Sequence, residues 1–350
     1  MVRKTTLTLL GLVCVAGIAV VATGLKNKGE SRAETGQTGR TVIAVAPLDP
    51  SLVPGEYCIR QIGCLRQWYQ NLAWSIGPEA ALEALESHGS KSDELRTMCH
   101  DTTHAIGEVA AYMRPISQAM ELGDSNCGSG YYHGVIATTT VKVEPERLID
   151  ALVQGCADGK GFARWECYHG VGHGFVFAAG GDIYRGIDSC MAVDNDSDRG
   201  ACGSGAFMQE LVDNGNDAKY SKDPYMVCKK MSEPIITDQC YDMLANIVYI
   251  HRPTPGEQFK VCADLVEPNA SACYSGLGRA RFAGLPFEGP GIEAYCGEAG
   301  DGKTLCFEAA YTNTAAYYGN TEEAASHCPE LSTEALQNSC REWFSKNPLG

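Results

Sequence analysis

The chain has 350 residues, 44% of them hydrophobic, and carries 43 acidic against 28 basic side chains, for a net charge of −15. That apolar content suffices for one large core or one elongated array and excludes a disordered chain. The acidic balance, with no basic stripe anywhere, excludes a nucleic-acid binder, because phosphate recognition needs clustered Lys and Arg whose counterion release drives association.

Arg3 and Lys4 precede an apolar run from Thr5 to Leu25, closed by Lys26 and Lys28. About 20 apolar residues cross a bilayer as a helix. Residues 1–28 therefore read as an N-terminal membrane anchor or a signal peptide, and the poor small-residue pattern at Val20, Val21 and Ala22 favours the uncleaved anchor. Cys14 lies inside the run, but Gly11, Leu12 and Val13 before it make a poor lipoprotein signal. The membrane is thus an expected partner and the rest of the chain is expected outside the cytoplasm. Residues 29–55, rich in Gly, Thr, Ser, Pro and charge, read as a flexible tether. The Cys-rich folded domain is expected over 56–348.

Cysteine usage points to the same compartment. Of 17 cysteines, 16 remain once Cys14 is set aside, the even number that complete disulfide pairing requires. Twelve form close pairs: Cys156 with Cys167, Cys190 with Cys202, Cys228 with Cys240, Cys262 with Cys273, Cys296 with Cys306, and Cys328 with Cys340. The second members follow one another at steps of 35, 38, 33, 33 and 34 residues, the period of a helix-turn-helix repeat. Each first cysteine closes a helix-like stretch and each second one opens another, such as Cys240-Tyr-Asp-Met-Leu-Ala-Asn. A bridge within each pair would then tie the two helices of a hairpin, stabilising the fold by roughly 2 to 3 kcal/mol through loop entropy. Spacing alone leaves cross-repeat pairing open. Cys58 with Cys64 and Cys99 with Cys127 is the simplest completion. Over residues 95–345 the periodicity resembles helical-hairpin repeat proteins in general, and it implies an all-α fold of disulfide-stapled helical-hairpin repeats, either a solenoid or a closed α/α ring.

Counting from the second cysteine of each repeat, positions two and six share a helix face. The first column reads Ser129, His169, Ser204, Asp242, Ser275 and Glu308; the second reads His133, His173, Met208, Asn246, Arg279 and Thr312. This polar face is expected to line a groove or cavity. The column between them, Gly130, Gly170, Gly205, Met243, Gly276 and Ala309, is mostly small and suits close helix packing. The tyrosines after the cysteines, Tyr131, Tyr132, Tyr168, Tyr241 and Tyr274, read as packing between repeats rather than a substrate platform.

Five of the eight histidines fall in three consecutive units: the pairs His100 and His104, then His169 and His173, with His133 between. Two imidazoles at i and i+4 point the same way, and a ligand from an adjacent helix completes a zinc, copper or iron site. Glu108, one turn past His104, is a candidate accessory ligand or general base, and Met208 a second accessory. Neutral imidazoles are required, so affinity is expected to fall as pH drops through about 6.5. His88, His251 and His327 lie off the pattern and read as surface residues. Asp194, Asp196 and Asp198 imitate a calcium loop, but Arg199 and Gly205 stand where its glycine and glutamate belong, so a solvated loop is expected. No C-x-x-C-H motif marks haem attachment. The pattern suggests an exported metal-binding protein, either a metal-dependent oxidoreductase or hydrolase. The alternatives are a non-enzymatic scaffold holding a peptide or glycan and a metal store or chaperone.

Overall fold

The computed structural model describes residues 49–123, 127, 130–318 and 320–347. The expected anchor, Cys14 and nearly all of the tether lie outside them. Among the described residues every regular element is helical, and no helix is long and apolar enough to cross a membrane.

Eight disulfides form, joining Cys58–Cys64, Cys99–Cys127, Cys156–Cys167, Cys190–Cys202, Cys228–Cys240, Cys262–Cys273, Cys296–Cys306 and Cys328–Cys340. A fully paired set of this size is at home in an oxidising, extracytoplasmic compartment. The first cysteines close their helices as expected at Cys156, Cys190 and Cys296, while Cys228 and Cys328 sit in single 3-10 turns. The second cysteines do not open theirs. Helices Gly161–Ala178, Asp196–Asn214 and Glu334–Lys346 begin well before Cys167, Cys202 and Cys340. The caps lie upstream: the side chains of Asn195 and Thr333 accept from the amides of Asp198 and Leu336, satisfying donors that a helix start leaves open. Each bridge therefore grips its second helix from the side.

One row of helices packs in chain order, each against the next: Ile62–Ile76, Cys99–Met113, Gly130–Lys142, Gly161–Ala178, Asp196–Asn214, Pro234–Met243, Asn269–Phe282, Lys303–Tyr318 and Glu334–Lys346. Helix Gly161–Ala178 lies mid-row and is buried along most of its length, with Tyr168, Val171, Phe175 and Val176 buried. The core falls into two clusters. One runs from Ile59 to Cys202 and the other from Val176 to Phe344. Other helices such as Pro145–Cys156, Ile183–Cys190 and Pro255–Ala263 flank this row. Arg96 reaches helices from the far end of the chain: its guanidinium lies 5.6 Å over the Tyr317 ring and 3.9 Å from Glu323 Oε1.

Small residues set how closely the helices approach. A Cβ on Gly134 would overlap the carbonyl oxygen of His104, and one on Gly205 would overlap that of His169. These glycines bring the backbones carrying the imidazoles directly against the neighbouring helices. The tyrosines following the cysteines, Tyr131, Tyr132, Tyr168, Tyr241 and Tyr274, are all buried in packing.

Two expectations are corrected. Asp198 is not in a solvated loop. It lies in the first turn of helix Asp196–Asn214, is buried, and forms an ion pair with Arg164, whose Nη2 is 2.6 Å from Oδ2. His88 is not a surface residue either: it is buried, with Tyr69 Oη 2.7 Å from Nδ1 and the Pro50 carbonyl 3.0 Å from Nε2. Both positions take their burial from partners distant in sequence.

Candidate metal centre

Helix Cys99–Met113 carries His100 and His104 one turn apart, helix Gly130–Lys142 carries His133, and helix Gly161–Ala178 carries His169 and His173. Because these helices are consecutive neighbours, the five imidazoles meet. His100, His104 and His133 form a nearly equilateral triangle of ring centroids, with sides of 5.1, 5.3 and 5.2 Å. His133, His169 and His173 form a second, with sides of 5.3, 4.7 and 5.1 Å. Within each triad one ring nitrogen from every histidine lies within 4.8 Å of the others. His133 belongs to both triads.

The surroundings fix two of the tautomers. His100 Nδ1–H donates to the Cys127 carbonyl at 3.0 Å, and the Cys99–Cys127 disulfide holds that carbonyl beside the helix start. A carbonyl only accepts, so Nε2 of His100 keeps its lone pair. His173 Nδ1–H donates to Gln209 Oε1 at 2.9 Å, while Gln209 Nε2 donates to Asp213 Oδ1 at 3.0 Å. The Asp213 contact decides which end of the amide faces His173, leaving Nε2 of His173 as the acceptor. Outer partners of this kind are what orient imidazole ligands and raise their basicity.

Two ring nitrogens of the cluster are short of partners. His133 Nε2 and His169 Nδ1 are buried without a hydrogen bond, and His133 and His169 are only 8% and 3% exposed. Leaving a buried polar atom unsatisfied costs about 1–3 kcal/mol. His169 Nε2 stands 3.3 Å from His173 Nε2. Two imidazoles bound to one tetrahedral ion by bonds of about 2.0–2.1 Å have their nitrogens roughly 3.3 Å apart, so this pair already has ligand spacing. Trp165 stacks on His169 with centroids 5.2 Å apart, holding the ring in plane.

Burial lowers the pKa of four of the imidazoles, His104, His133, His169 and His173, favouring the neutral form a metal needs. Desolvation, then the neighbouring His100, Arg66 and His173, push His104 down to about 3. Desolvation and the adjacent histidines hold His133 and His169 well below the ordinary imidazole value. His173 is also lowered, by desolvation, with the Gln209 hydrogen bond opposing. Proton competition at these positions therefore sets in at lower pH than the value of about 6.5 expected for free imidazole.

The accessory residues separate. Met208 lines a cavity together with His100, His104, His133 and His173. Glu108 is already bound: Oε1 is 2.7 Å from Arg66 Nη2, and Oε2 accepts from Gln70 Nε2 at 3.1 Å. Both triads assemble without it. Gln209, Asp213, Trp165 and Arg66 did not stand out in the sequence. Trp165 had a signal, standing one turn before His169 on the same face; Arg66 and Gln209 come from other helices.

No known protein family matches the chain, and no curated protein or solved structure is detectably similar to it.

Proposed function

We propose that this chain is an extracytoplasmic transition-metal protein in which His100, His104, His133, His169 and His173 hold copper, iron or zinc, tethered to the membrane by residues 1–28. The observation carrying this reading is the pair of imidazole triads sharing His133, with ring nitrogens inside 4.8 Å and two buried atoms lacking any protein partner. Ordinary polar packing satisfies its buried atoms internally; these are not.

Of the chemistries such a centre supports, the oxidoreductase reading with copper or iron fits better than hydrolysis. Hydrolysis needs a base beside the metal-bound water; Glu108, on the histidine face of helix Cys99–Met113, is engaged by Arg66, and Asp101 lies off that face and is exposed to solvent. The row of stapled helices acts as the frame, and the contact of Arg96 with Tyr317 and Glu323 supports a closed ring over an open solenoid. Elemental analysis of the purified exported domain, together with a thiol count under denaturing conditions, tests the reading. Stoichiometric copper, iron or zinc with no free thiol outside Cys14 is expected, and a protein that takes up none of the three ions overturns it.

A further inference from the structure

A cavity of about 420 Å³ opens on one side of the imidazole cluster. Its inner end is formed by His100, His104, His133 and His173. Its apolar lining includes Ala137, the buried Ile136 and, at the mouth, Val141, Phe177 and Val212. All three histidines of the first triad line it, whereas in the second triad His169 does not and stacks under Trp165. Three of the mouth residues are openly exposed, Val141 at 72%, Phe177 at 63% and Val212 at 69%. They come from the last turns of three successive helices, where polar residues would cost nothing.

Three histidines leave one position of a tetrahedral ion open. The volume is in the range of small-molecule sites, which combine an apolar lining with a few placed polar groups. Charge then narrows the occupant. Imidazoles bound to a metal are neutral ligands, and Asp101 is the one carboxylate among the lining residues. A divalent ion beside a single carboxylate leaves one positive charge, which a monoanionic head neutralises and a cationic head opposes.

Resting on the metal reading above, we infer that this cavity binds a small amphiphile with an apolar body and one anionic oxygen head, whose oxygen completes the coordination of the ion held by His100, His104 and His133. The body lies against Ile136, Val141, Phe177 and Val212 while the head reaches the imidazole end.

Cobalt(II) is a suitable probe, because its visible bands report the coordination sphere. The protein is loaded with Co2+, its metal content measured, and then titrated with octanoate, acetate and octylammonium. Octanoate is expected to change the bands and to bind at least about a hundredfold tighter than acetate, since its added methylenes leave water. Octylammonium is expected to leave them unchanged. Replacing the exposed mouth residues together, Val141→Ser, Phe177→Ser and Val212→Asn, keeps the charge and the buried core. It should leave cobalt content intact while cutting the octanoate preference at least about tenfold. Equal binding of octanoate and acetate, or a preference unaffected by the mouth variant, overturns the amphiphile site while the metal reading stands. Failure to take up cobalt, copper, iron or zinc overturns both.

Discussion

The same helix face carries opposite solutions in the two halves of the molecule. In the N-terminal half, positions two and six after the repeat cysteines are imidazoles, His133, His169 and His173. They are uncharged and buried among one another, with two ring nitrogens lacking any protein partner. In the C-terminal half two of the corresponding positions are Asp242 and Arg279, which form a short ion pair across neighbouring helices. Burial raises the Asp242 carboxyl above its usual range, and Arg279 opposes that rise. The frame is alike, with Gly276 packed against the Asp242 carbonyl much as Gly205 packs against that of His169. One face is therefore neutralised from within and needs no ligand. The other gathers neutral donors with a ring nitrogen from each within 4.8 Å of its triad neighbours, an arrangement that can hold an ion.

Removing the imidazoles should produce the largest effect. His133→Ala combined with His173→Ala takes a ligand common to both triads and a second ligand of one. Stoichiometric metal is expected to disappear while circular dichroism stays helical, because the eight disulfides do not depend on the ion. Full metal content in the double variant, measured by elemental analysis after dialysis, would show that the two faces do not differ in this way.

Acid should next separate the halves, in the metal-free protein. For His104, His133, His169 and His173 the folded pKa is lowered. Below the unfolded value of about 6.5 the unfolded chain binds protons the folded one refuses, so stability falls as pH drops below that point, by roughly 1 kcal/mol for each buried imidazole between pH 7 and 5.5. Asp242 has the opposite sign. Its folded pKa is raised, so its contribution is greatest below the unfolded carboxylate value and is lost as pH rises through the folded one. Thermal unfolding between pH 7 and 5.5 should show the midpoint falling, and replacing the four histidines by Asn should flatten the curve. An unchanged midpoint across that range in the native protein counts against neutral buried imidazoles.

Breaking the C-terminal ion pair should cost less. Arg279→Ala leaves the buried Asp242 carboxylate alone. The penalty for such a charge is about 3–5 kcal/mol when both partners are buried, and about 2 kcal/mol is expected here because the Arg279 side chain is 38% exposed. Denaturant unfolding measures it, and adding Asp242→Asn should recover most of the loss. Metal content should not change in either variant.

Contacts set by the period were legible in the sequence, and contacts set by tertiary neighbours were not. The six close cysteine pairs, recurring at steps of 33 to 38 residues, pointed to six of the disulfides, the remaining four cysteines gave the other two as the simplest completion, and the histidine spacing singled out the five imidazoles that meet. The helix starts were misread. Cysteine marks the point a bridge grips, whereas Asn195 and Thr333 mark where the backbone begins to need caps. Glu108 looked available on its own helix, and only the approach of Arg66 from helix Ile62–Ile76 engages it. Asp198 paired with Arg164 and His88 against Tyr69 were hidden for the same reason.

The smallest effect should come from the relay behind His173. Gln209 Oε1 accepts the Nδ1–H of His173, and Asp213 holds the amide by accepting from Nε2. Gln209→Leu removes the acceptor while keeping similar bulk, so His173 is free to move its proton to Nε2, the nitrogen facing His169 at 3.3 Å. Metal affinity should drop about 10–100-fold, the usual consequence of losing an outer partner of an imidazole ligand. Asp213→Asn, which retains an oxygen to accept from Gln209, should cost less than tenfold by the same reasoning. The ordering is what tests the relay, read by competition with a chelator of known affinity. If Gln209→Leu binds as tightly as the native protein, His173 owes its tautomer to something other than Gln209. If Asp213→Asn is the more damaging change, the carboxylate acts on the centre through its charge and not by orienting the amide.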